Sequence, residues 1–139
     1  MDKYLEANII FSKFARDYME LKKDLPIRPS EMGVLNIIVQ REGLFTPLMI
    51  SELLEVSKPM MSAHIRVLEK KGYVTREYSK DDKRSFFVLP TNKAKDLVKT
   101  TNEKMNCQLS GLERFLGEND FNNLTNLLER AVQNLRETL

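Results

Sequence analysis

Hydrophobic positions recur along this chain with two different periods. Over residues 3 to 24, Leu5, Ile9, Phe14, Tyr18 and Leu21 follow one another at helical intervals, with Ile10 and Ala15 beside them. Pro26 and Pro29 end this helix, because proline disfavours helical geometry at the residue before it. Ser30 is the expected N-cap of a second helix to about Arg41, burying Val34, Leu35, Ile37 and Ile38, with Gly43 as its stop. Thr46-Pro47 reads as cap and first position of a short third helix, 47 to 54, with Ile50, Leu53 and Leu54 inward. Ser57 opens a fourth, whose inward stripe is Met61, Ile65 and Leu68 and whose stop is Gly72. Pro59 is tolerated in its first turn, where the amides have no helical partner.

The period then drops to two. Tyr73 to Tyr78 and Ser85 to Leu89 are rich in β-branched and aromatic residues and predict two strands joined by Ser79 to Arg84 as a hairpin. Pro90 ends the second strand and Thr91 caps a long helix to about Leu116, with Leu97, Val98, Met105, Leu109, Leu112 and Phe115 as its apolar positions. Gly117 breaks it. A last helix, about 119 to 138, carries Phe121, Leu124, Leu127, Leu128, Val132 and Leu135. The expected fold class is mainly α with a small β-hairpin (α+β). No internal repeat, low-complexity tract or linker divides the chain.

Composition changes this picture little. At 139 residues the chain can hold one domain with a real core, and 30% charged with 42% hydrophobic residues is ordinary globular usage. The net charge of +2 names no partner, but its distribution is uneven. Eight basic against four acidic residues between Ser57 and Arg84 give that window +4 and leave −2 for the rest. The basic face covers the second helix of a short helix–turn–helix, whose turn is Glu55-Val56-Ser57, and the hairpin after it. Such a second helix can enter the major groove of DNA. Its outward set is Lys58, Pro59, Ser62, Ala63, Arg66 and Lys70. Lys58 can reach guanine acceptors or a phosphate, Ser62 can bond to base edges or phosphates, and Pro59 and Ala63 can meet a thymine methyl. Arg66, one turn further on, suits a backbone phosphate. The bland alternative is a solvated helix face, which the basic hairpin next to it disfavours.

The stretch VSKPMMSAHIRVLEKKGYVTR, followed by DDKR and an apolar strand ending in LPT, resembles the MarR family of winged helix-turn-helix transcriptional regulators. The likeness is close over 46 to 92 and extends to the flanking helices only in length and apolar pattern. It implies that Arg84 is the wing arginine that enters the minor groove, that Asp82 holds the wing in shape, and that Arg76 supports the wing base or meets the backbone. It makes Ser57 and Ser62 polar positions of the recognition helix. Thr46, Lys80 and Lys83 join the expected DNA contacts, and His64 is taken as a phosphate contact or a half-buried packing residue. Family members often carry arginine where this chain has Ala63, so direct base readout is poorer here. A thin β-tip bearing an arginine suits a narrow, strongly negative minor groove, and Asp82 next to it must be occupied locally, by a nearby arginine or by hairpin amides, while Asp81 faces water.

The resulting expectation is a winged helix-turn-helix DNA-binding region over 30–92. Residues 1–29 and 93–139 form a helical dimerisation region within one intertwined domain. The first and last helices carry more apolar surface than a small winged domain can cover, which fits a homodimer on a pseudo-palindromic operator. An ordinary intrachain bundle is the alternative. The resemblance further implies a small aromatic or anionic effector between the two regions, for which Phe14, Tyr18 and Met105 are candidate lining, although each also reads as plain core. Repression is the commoner outcome in the family.

Enzymatic chemistry finds no support. His64 and Cys107 are the only histidine and the only cysteine, far too few for a zinc site, and no phosphate-cradling glycine loop or activated nucleophile is present. No cofactor or metal is expected. Cys107 cannot form an intrachain disulfide and reads as structural or inert, unlike the reactive first-helix cysteine of some relatives. The start, MDKYLEANII, lacks a signal-peptide core, and no stretch approaches the roughly 20 apolar residues of a membrane span, so a cytoplasmic protein is expected. A winged helix that binds protein rather than DNA is the remaining rival; its interface should be apolar and poor in lysine.

Overall fold

The computed structural model describes residues 2–138. Its order is α1 (Lys3–Glu20), α2 (Pro29–Gln40), α3 (Pro47–Leu54), α4 (Lys58–Lys70), β1 (Val74–Tyr78), β2 (Phe86–Pro90), α5 (Asn92–Leu116) and α6 (Glu118–Thr138). These are the predicted elements in the predicted order. The chain separates into two compact units, one up to Lys99 and the other from Thr100 on, with α5 running through the boundary.

In the first unit α2 is the centre. Val34 and Leu35 are fully enclosed, as are Ile50 of α3 and Leu68 of α4, and Met61, Ile65, Val74 and Val88 close the core around them. Two boundaries differ from expectation. α1 stops at Glu20 rather than Asp24, because its end tightens into three-residue turns (Leu21 N–H to Tyr18 O at 3.2 Å, Lys22 N–H to Met19 O at 3.0 Å). α2 starts at Pro29, so Ser30 lies inside the helix and Arg28 is the cap. Glu31, three residues past that cap, is buried and accepts the Arg28 amide at 2.9 Å, which closes the helix start without a Ser or Thr.

The side taken by Leu53 also differs. Leu53 is exposed and Leu54 half-buried, because Ile50 and Leu54 share a face four residues apart while Leu53 flanks it. Phe45, read as part of a connection, is buried, and its carbonyl receives the Val88 amide at 2.8 Å, lending β2 a hydrogen bond on its outer edge. Tyr73 is buried but precedes β1; its amide reaches back to Leu68 O at 2.9 Å while the Gly72 amide reaches Glu69 O at 3.1 Å. This pair of bonds closes α4, and it requires the left-handed backbone that Gly72 supplies at φ +83°. The space beside Gly72 is open, with Lys93 Cδ 4.0 Å from where a β-carbon would stand. Gly72→Ala is therefore expected to cost backbone strain alone, about 1 kcal/mol, lowering the midpoint of thermal unfolding by about 2–4 °C. An unchanged midpoint would show that α4 does not depend on this closure.

The two strands pair antiparallel from Val74 with Pro90 to Tyr78 with Phe86. Thr91 binds this hairpin to the next helix. Its hydroxyl donates to Gly72 O (2.7 Å) and caps the Ala94 amide (3.3 Å), so the end of α4 and the start of α5 share one residue.

α1 has no buried residue; Leu5, Ile10, Phe11 and Phe14 are all exposed. In the second unit Met105, Leu109, Leu112, Phe121 and Leu124 are half-buried, whereas Leu127, Leu128, Val132 and Leu135 are exposed. Phe115 is 86% exposed and does not join the apolar set expected of α5. Cys107 is an exposed free thiol, not a packed one. Among the described residues no helix is long and apolar enough to cross a membrane.

Candidate nucleic-acid interface

α3 and α4 are joined by Glu55, Val56 and Ser57. Glu55 adopts the left-handed conformation (φ 55°, ψ 45°), and the Val56 amide reaches back to Ser51 O at 3.1 Å, so α3 closes abruptly and α4 can leave at a steep angle. Both helices begin with a hydroxyl cap followed by an early proline. Thr46 Oγ1 accepts the Met49 amide at 3.2 Å, and Ser57 Oγ accepts the Met60 amide at 3.3 Å.

α4 buries Met61, His64, Ile65 and Leu68, spaced three, one and three apart, which is one helical stripe. Lys58, Pro59, Ser62, Arg66 and Lys70 stand exposed on its other side. Two predicted contacts are placed differently. His64 lies on the buried stripe, with Nε2 enclosed and making no hydrogen bond within the chain, which fits the packing role expected as the alternative to a phosphate contact. Ala63 is half-buried at the edge of the exposed face. Met60, which the outward set omitted, is 49% exposed in the first turn. One residue before Met61, it flanks the inward stripe by about 100°, a position that helical spacing leaves open to either side.

The hairpin tip is ordered by two short side chains. Asp82 Oδ1 accepts the Arg84 amide at 2.9 Å, and its Oδ2 accepts the Ser85 hydroxyl at 3.3 Å. Ser79 Oγ accepts the amides of Asp81 and Asp82, both at 3.3 Å. Ser79 was not singled out in the sequence, although a serine two or three residues before a turn's amides is a recognised turn former. With the tip held from within, Lys80, Asp81, Lys83 and Arg84 all project into solvent.

Arg76 links helix to hairpin. Its Nε donates to Glu69 Oε2 at 3.0 Å, and its guanidinium carbon stands 4.5 Å from the centre of the Phe86 ring. Phe86 in turn packs against Tyr78, ring centres 5.4 Å apart. Glu69 is one of the four acidic residues between Ser57 and Arg84, and its contact with Arg76 depends on the chain reversal at Gly72. Between α4 and the hairpin lies a groove of about 460 Å³. Pro47, Pro59, Ile65 and Phe86 form its apolar walls, and Ser62, Arg66 and Arg76 supply its polar groups.

Two of the candidate effector residues meet on one helix. Phe14 and Tyr18 stack on α1 with ring centres 5.9 Å apart, and Lys22 Nζ lies 4.7 Å over the Tyr18 ring. Met105 is half-buried in the second unit. Among the described residues no group of three or more His, Cys, Asp or Glu is placed to hold a metal ion.

A short helix, a tight turn, an exposed basic helix and a paired hairpin with a cationic tip define a winged helix-turn-helix protein. Residues 25–85 match the model of the MarR family, so this segment is similar in sequence to that family. It is similar in structure to Streptococcus pneumoniae FabT, solved in complex with DNA, at TM-score 0.82 and 18% identity over 99% of this chain and 100% of that one. A MarR protein from Peptoclostridium difficile gives TM-score 0.74 and 23% identity over 99% and 90%. MepR, a transcription regulator of a Staphylococcus aureus multidrug efflux pump, gives TM-score 0.70 and 16% identity over 97% and 99%. At these identities the likeness is one of fold. No curated protein matches the sequence.

Proposed function

We propose that this chain is a sequence-specific DNA-binding transcriptional repressor that acts as a homodimer on a pseudo-palindromic operator. The observation that carries the reading is the exposed basic face of α4 set beside a wing whose tip is braced internally and leaves Arg84 free to project. In this reading α4 enters the major groove, with Ser62 and Lys58 nearest the bases and Pro59 and Ala63 against thymine methyls. Thr46, Ser57, Arg66, Lys80 and Lys83 meet phosphates, Arg84 enters the minor groove, and Arg76 supports the wing base. Residues 30–92 act as the DNA-binding region, with 1–29 and 93–139 as the dimerisation region.

The dimer is supported by the apolar side chains that α1 and α6 each expose within the single chain. Two half-sites read together also raise an affinity that one helix and one wing leave weak. A small aromatic or anionic ligand is the proposed effector, for which the Phe14–Tyr18 stack and Lys22 offer ring contact and charge. Such a ligand would act by favouring one spacing of the two recognition helices.

The test is selection of bound duplexes from a random pool, then titration of the selected duplex across a salt series. Binding through phosphates weakens by about 0.9 log units per log unit of salt for each contact. Recovery of an inverted repeat with a steep salt slope supports the reading. Affinity indifferent to salt would instead favour a protein partner for the wing.

A further inference from the structure

We infer that Glu69 is a specificity-setting residue of the DNA-reading face, which it serves by keeping Arg76 from acting as a free phosphate contact. This rests on the DNA-binding reading above. A protein that places a helix in the major groove and a wing in the neighbouring minor groove must straddle the sugar–phosphate strand between them. Between α4 and the hairpin lies the groove of about 460 Å³ whose polar lining is Ser62, Arg66 and Arg76.

Two unpaired guanidiniums there would hold any phosphodiester firmly, whatever its sequence, because phosphate contacts carry affinity and not base information. Glu69 changes that balance. Its carboxylate takes Arg76 Nε at 3.0 Å, and Phe86 covers the guanidinium at 4.5 Å, so Arg76 is pinned from two sides. The pair is only partly shielded, with side-chain exposures of 24% for Arg76 and 42% for Glu69, so the carboxylate's field reaches the groove as well.

Glu69 has little local reason to be acidic. It sits in the last turn of α4, where the helix dipole disfavours a negative charge. Its backbone is held independently, by the Gly72 amide on its carbonyl at 3.1 Å. The side chain is thus free to serve Arg76, and of the two arginines that line the groove it leaves Arg66 without an ion pair among the described residues. Affinity for DNA of any sequence is thereby kept low, and discrimination falls to α4 and the wing tip.

The experiment compares wild type, Glu69→Gln and Glu69→Gln/Arg76→Gln by fluorescence anisotropy on the selected operator and on a scrambled duplex, over a salt series. Glu69→Gln keeps the shape and removes the charge. It is expected to tighten scrambled-duplex binding about three- to tenfold, to steepen the salt slope by about 0.9 per protomer, and to narrow the operator preference. The double variant should return the slope to the wild-type value or below. If Glu69→Gln weakens both duplexes with no gain in slope, Glu69 merely props the wing and the inference is overturned. If the wild type binds no duplex in a salt-dependent way, the DNA reading itself fails, and the inference with it.

Discussion

Replacing Arg84 with alanine is expected to lower operator affinity about ten- to a hundredfold while leaving the unfolding midpoint and the oligomeric state unchanged. The side chain is exposed at the hairpin tip, so its loss removes no packing. In the proposed reading it removes a cation on a thin support that enters the narrow minor groove, where negative potential is strongest over A·T-rich tracts. The backbone beneath is held by Asp82 through the Arg84 amide and the Ser85 hydroxyl, and by Ser79 through two further amides. Asp82→Ala is accordingly expected to weaken operator binding as well, about three- to tenfold, by letting the tip lose its shape with Arg84 still present. Lys80→Ala and Lys83→Ala should behave differently. Each should shallow the salt slope by about one and leave operator preference intact, as loss of a phosphate contact does. Full operator affinity in Arg84→Ala, measured by anisotropy, would remove the wing from the minor groove.

The second large effect concerns assembly. Leu128→Asp combined with Val132→Asp is expected to convert the protein to a monomer at micromolar concentration and to abolish operator binding. Both positions are on one face of α6, four residues apart, and are exposed within the single chain at 42% and 48%. If a second copy covers them, each aspartate must be buried without a partner, and symmetry doubles the number of buried charges. A loss of at least about 4 kcal/mol follows, which is a thousandfold in the dimer dissociation constant. Circular dichroism should show α6 intact, because two exposed aspartates do not unfold a helix in an isolated chain. Sedimentation of the variant as an unchanged dimer would move the interface elsewhere, and a monomeric wild type would dismiss it.

Both expectations bear on how the protein would switch. A repressor released by a ligand needs its two recognition helices to have two spacings, and the ligand must prefer one. The stacked Phe14 and Tyr18 lie on α1, which has no buried residue of its own within the chain. In the proposed reading a small aromatic or anionic ligand held there would favour one spacing of the two recognition helices.

The order and kind of the elements were determined by the sequence itself, because they depend on interactions between near neighbours. Period 3.6 gave way to period two at Tyr73 and returned after Pro90, and those changes of period track the hairpin. Thr46, Ser57 and Thr91 cap helices because their hydroxyls reach amides three residues on, and Gly72 ends α4 because it can take a positive φ. The winged segment was legible for the same reason, its chemistry being concentrated in one continuous run of about 50 residues. Contacts between elements were not legible, since they depend on angles that no local pattern contains. Leu53 and His64 each sat at a helical position compatible with either side, and the neighbouring elements decided that one faces solvent and the other the core. Phe45 is buried because β2 passes beside it and donates the Val88 amide to its carbonyl. Glu69 meets Arg76 only because Gly72 turns the chain so that the end of α4 lies against β1. That contact, seven residues apart in the chain and 3.0 Å apart in space, separates a merely basic wing base from one whose charge is already opposed.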